Sequence, residues 1–92
     1  MIIQDGMSIN IRTKEEWQVF CEVGAKEGIV WDSGTSLAEY SRDFHNHSIQ
    51  IGYFTPHKAT YAELNWTDDE CLNLVEAADL FRNYLISRRL KQ

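Results

Sequence analysis

A chain of 92 residues is expected to form one domain, because two domains of half that length would each be too small to bury a core. Apolar residues make up 43% of it and Pro56 is its only proline, which excludes a disordered or low-complexity chain. The net charge of −5 is uneven: residues 1–79 hold five Lys or Arg against fourteen Asp or Glu, and the last thirteen hold four basic residues and no acid.

An acidic body argues against direct nucleic-acid binding and suits a protein that meets basic surfaces. The start of the chain, Met1-Ile2-Ile3-Gln4-Asp5-Gly6, has neither a basic leader nor a long apolar run. No signal peptide or membrane span is expected, and a cytoplasmic location is. Cys21 and Cys71 fall on apolar phases of two expected helices, so both read as buried free thiols.

Met7, Ile9 and Ile11 alternate with Ser8, Asn10 and Arg12, the period-two pattern of a half-buried strand. Thr13 with Glu16 three residues on forms a capping box, in which the glutamate is expected to reach back to the Thr13 amide. Trp17, Phe20, Cys21 and Gly24 then follow helical spacing and mark the face that packs on the sheet. Gly24 leaves room for close approach of another element, and Gly28 suits the left-handed position after the last helical turn. Ile29-Val30-Trp31 reads as a short strand, stopped by the turn residues Asp32-Ser33-Gly34-Thr35.

Residues 36–47 show no clean period and read as a surface loop with room for one helical turn. Ile49, Ile51 and Tyr53 share one strand face. Thr55-Pro56-His57-Lys58 is a hairpin turn with proline second, and a returning strand follows from Ala59 to Trp66. A second capping box, Thr67-Asp68-Asp69-Glu70, predicts a helix to about Leu90 with Cys71, Leu74, Val75, Ala78, Phe81 and Leu85 as its apolar stripe. Acids in its first turn and Arg88 and Arg89 in its last suit the helix dipole. Such a helix overhangs a small sheet, which makes its distal end (Tyr84, Leu85, Ile86, Leu90) a candidate homodimer surface. The expected architecture is α+β, ordered β-α-β-β-β-α, with a mostly antiparallel sheet and two helices on one face.

Little in the sequence carries catalytic chemistry. His45, His47 and His57 could supply three nitrogens to a metal, but no CxxC, HExxH or spaced carboxylate joins them. Ser33 lacks a nucleophile elbow, and no glycine-rich phosphate loop exists. The chain therefore reads as a non-enzyme with no cofactor and no metal. Most aromatics sit on core phases. Trp31, Tyr40 and Phe44 flank the turn and the loop, and with Asp32, Glu39 and Asp43 they form the candidate partner-binding surface.

Thr13-x-Glu15-Glu16-Trp17, an amphipathic helix, and then Gly28-x-x-Trp31-x-Ser33-Gly34 together resemble small, largely uncharacterised proteins encoded by bacteriophages and prophages. Ile49-Gln50-Ile51-Gly52-Tyr53 and Thr60-Tyr61 match the strands that follow in those proteins. The resemblance implies a phage protein that binds and inhibits a host or bacterial-defence protein, in the manner of anti-CRISPR inhibitors. Its expected partner presents a basic surface. Two alternatives stand beside it. One is a module that sequesters a nucleotide signal through Arg42, His45, His47, Arg88 and Arg89. The other is a phage structural or packaging accessory.

Overall fold

The computed structural model describes residues 2–40, 48–52, 55–62 and 74–90, with the backbone alone for residues 39, 40, 61 and 62. Five strands form one mixed sheet: β1 (Ser8–Asn10), β2 (Val30–Trp31), β3 (Ser48–Ile51), β4 (Lys58–Ala62) and β5 (Leu74–Glu76), in the order β2-β4-β3-β1-β5. Helices are α1 (Lys14–Lys26), α2 (Ala77–Leu80) and α3 (Arg82–Leu90), with a short 3-10 helix at Leu37–Tyr40. The fold is α+β, as the sequence predicts. The hairpin expected at Thr55–Lys58 pairs β3 with β4 antiparallel, β1 joins β3 antiparallel beside it, and both outer pairings are parallel.

Helix α1 begins where the capping box places it. Thr13 Oγ1 accepts from the Glu16 amide at 3.1 Å, and the Glu16 carboxylate reaches one residue beyond the expected Thr13 amide, to that of Arg12, at 3.1 Å. At the other end Gly28 (φ +81°) donates to the Ala25 carbonyl and Ile29 to that of Gly24, closing a Schellman motif. Gly24 is the close-approach position: a Cβ there would collide with the buried Leu37 side chain, which packs the 3-10 helix onto α1.

Strand register sets the core. Ile9 pairs with Ile49 and Val75, and Ile51 with Ala59, which lies beside Trp31. These residues share the sheet face that meets Trp17, Phe20, Phe81 and Leu85, all buried. Ser8 and Gln50 are also buried and pair across β1 and β3 on the opposite face.

The long C-terminal helix expected from Thr67 requires correction. Residues 63–73, including Cys71 and the second capping box, lie outside the described residues, and Leu74–Glu76 is a strand. The free edge of β1 captures this segment in parallel register, and alternation turns Leu74 outward, 58% exposed, instead of onto a helical stripe. The apolar phase then shifts by one: Ala77 is buried and Ala78 exposed. Phe81 and Leu85 keep their expected burial.

The Glu76 carboxylate accepts from Arg12 Nη2 at 2.9 Å and from Asn10 Nδ2 at 3.0 Å, clamping β5 to β1. These hydrogen bonds, the Arg12 one foremost, hold the Glu76 carboxyl below its ordinary range, and Glu76 in turn raises Arg12. A depressed carboxyl stabilises the fold above the unfolded carboxylate range, and that contribution is lost as pH falls through its folded value. Glu76→Gln is therefore expected to be less stable than wild type at neutral pH, with the gap closing in acid. Urea denaturation across pH checks this. A second expectation concerns packing: Gly24→Ala should lose roughly 1–3 kcal/mol in the same assay, because Leu37 has no solvent side to retreat to.

Candidate functional site

The candidate partner surface divides into parts with different fates. Trp31 belongs to the core, a correction to its expected exposure: it is 6% exposed and lies 6.0 Å from the Trp17 ring. Trp17 continues to Phe20 at 5.8 Å, and Phe20 to Phe81 at 6.4 Å. The row runs from β2 through α1 to the residue between α2 and α3. The missed signal was parity, since Ile29 and Trp31 are both buried while Val30 between them is half-buried.

Asp32, Ser33 and Gly34 are exposed, and the backbone holds them firmly. Gly34 donates to the Trp31 carbonyl at 2.7 Å, Trp31 to Thr35 at 2.9 Å and Asp32 to Ala59 at 3.0 Å. Gly34 at φ +93° takes the left-handed position that a three-residue loop requires. Ser33 Oγ and Thr35 Oγ1 share a hydrogen bond at 3.1 Å, and Ser36 Oγ accepts from the Ala38 amide at 3.2 Å, fixing the entry to the 3-10 helix. Glu39 and Tyr40 close that helix, and only their backbone is described. Asp43 and Phe44 lie outside the described residues. The structure thus joins the Asp32-Ser33-Gly34 turn to the segment bearing Glu39 and Tyr40, with buried Trp31 and Leu37 anchoring the two.

Much of the acidic charge is used internally. Glu15 lies 3.5 Å from Arg89, Glu22 lies 3.8 Å from Arg88, and Glu76 binds Arg12. Arg88 also donates to Gln18 Oε1 at 3.1 Å. Arg88 and Arg89 therefore face α1. Arg42, His45 and His47, the other groups named for nucleotide binding, lie outside the described residues. Exposed apolar groups on α3 are Tyr84, Ile86 and Leu90, the last 81% exposed. At about 100° per residue Ile86 and Leu90, four apart, share one flank of α3, and Tyr84 opens on the other.

A polar cluster the sequence reading missed fastens the N-terminal arm. The Glu27 carboxylate accepts from the Ile2 amide at 3.1 Å and the Ile3 amide at 3.0 Å, while Ile3 itself is fully buried. Asp5 Oδ1 accepts from the His57 amide at 2.8 Å, and His57 Nε2 lies 2.9 Å from the Glu27 carbonyl oxygen. His57 adopts φ +66° in the Thr55-Pro56-His57-Lys58 turn, a place usually given to glycine, and these two contacts hold it there. Gly52 completes the cluster, because a Cβ would strike the Asp5 carboxyl. A glutamate just past a helix and an unusual histidine in a turn were the available signals.

His57 is thus tied to the end of α1. Among the described residues no group of three His, Cys, Asp or Glu is placed to hold a metal. Burial pushes the Cys21 thiol up to about 12, which leaves it protonated at neutral pH. No described helix is long and apolar enough to cross a membrane. No protein-family model, curated protein or solved structure matches the chain.

The division between core and surface makes a sharp expectation. Trp31→Ala should cost ~3–5 kcal/mol in denaturant unfolding, the range for deleting a buried aromatic. Asp32→Ala should stay within about 0.5 kcal/mol of wild type. Comparable losses from both would place Asp32 inside the structural network.

Proposed function

We propose that this chain is a small phage-encoded interaction protein that binds a host or bacterial-defence protein and inhibits it by occupying its surface. The observation that supports this most is the exposed Asp32-Ser33-Gly34 turn, held by three backbone hydrogen bonds on a buried tryptophan. A surface fixed before contact loses little conformational freedom on binding. Asp32 heads it, and Glu39 and Asp43 follow in the sequence, so the partner's matching face is basic. Phage origin rests on the resemblance of the Thr13–Gly34 motif, and the inhibitory role is the one such small acidic phage proteins commonly perform.

Capture from bacterial lysate on immobilised protein, followed by titration of the purified partner, tests the proposal. Asp32→Lys combined with Glu39→Lys and Asp43→Lys is expected to weaken binding by about an order of magnitude at low salt, with less effect at high salt. Unchanged affinity at low salt would remove the electrostatic basis of the proposal. A partner that is captured but keeps full activity would remove the inhibitory one.

A further inference from the structure

We draw no further inference here: the strongest candidate, the sheet face turned away from the Ile9–Ile49 core, where buried Ser8 and Gln50 pair across β1 and β3, carries nothing because nothing among the described residues shows what covers it.

Discussion

The contact between Trp17 and Trp31 is the constraint on which the rest of this small structure depends. β2 is only two residues long and sits at one edge of the sheet, too short to be held by its ladder alone. Its tryptophan secures it by packing on Trp17 of α1, and α1 passes the connection through Phe20 to Phe81 between α2 and α3. Each such aromatic pair adds about 0.5–1.5 kcal/mol beyond the area it buries. In a domain this small that is a sizeable share of total stability. Both ends of the sheet are thereby tied into one core.

That arrangement decides what the surface can offer. Because Trp31 is committed to the interior, the turn that follows it is presented from a rigid base and only its polar residues face out. Charge is partitioned in a related way. Glu16 caps α1, Glu27 secures the N-terminal arm and Glu76 clamps β5, while Glu15 and Glu22 meet the arginines of α3. Each ion pair takes up one base with one acid, so the net charge of −5 is carried by acids outside these pairs. Asp32 stands out as an exposed acid on a fixed support.

The chain from β1 to the Pro56 turn was largely legible in its sequence, because its signals are local. A threonine three residues before a glutamate, a glycine after the last helical turn and a proline in a tight turn each act on neighbours within a few positions. The C-terminal part was less so. Leu74 and Val75 fit a helical stripe as well as a strand, and the free edge of β1, more than sixty residues away in sequence, decided between them. The N-terminal cluster was hidden for the same reason, since Asp5, Glu27, Gly52 and His57 meet only through the fold. Trp31 was misjudged because a two-residue strand gives alternation almost no length in which to show itself.

Native-state hydrogen exchange tests most directly whether one aromatic row holds the whole domain. The Trp31 amide donates to Thr35 at 2.9 Å and the Leu85 amide to Phe81 at 2.9 Å, so each reports an opposite end of the row. Equal opening free energies at the two amides, both matching global unfolding, are expected of a single core. A Trp31 amide that opens several kcal/mol more easily than that of Leu85 would contradict it, and would make β2 a unit that opens apart from the rest of the core.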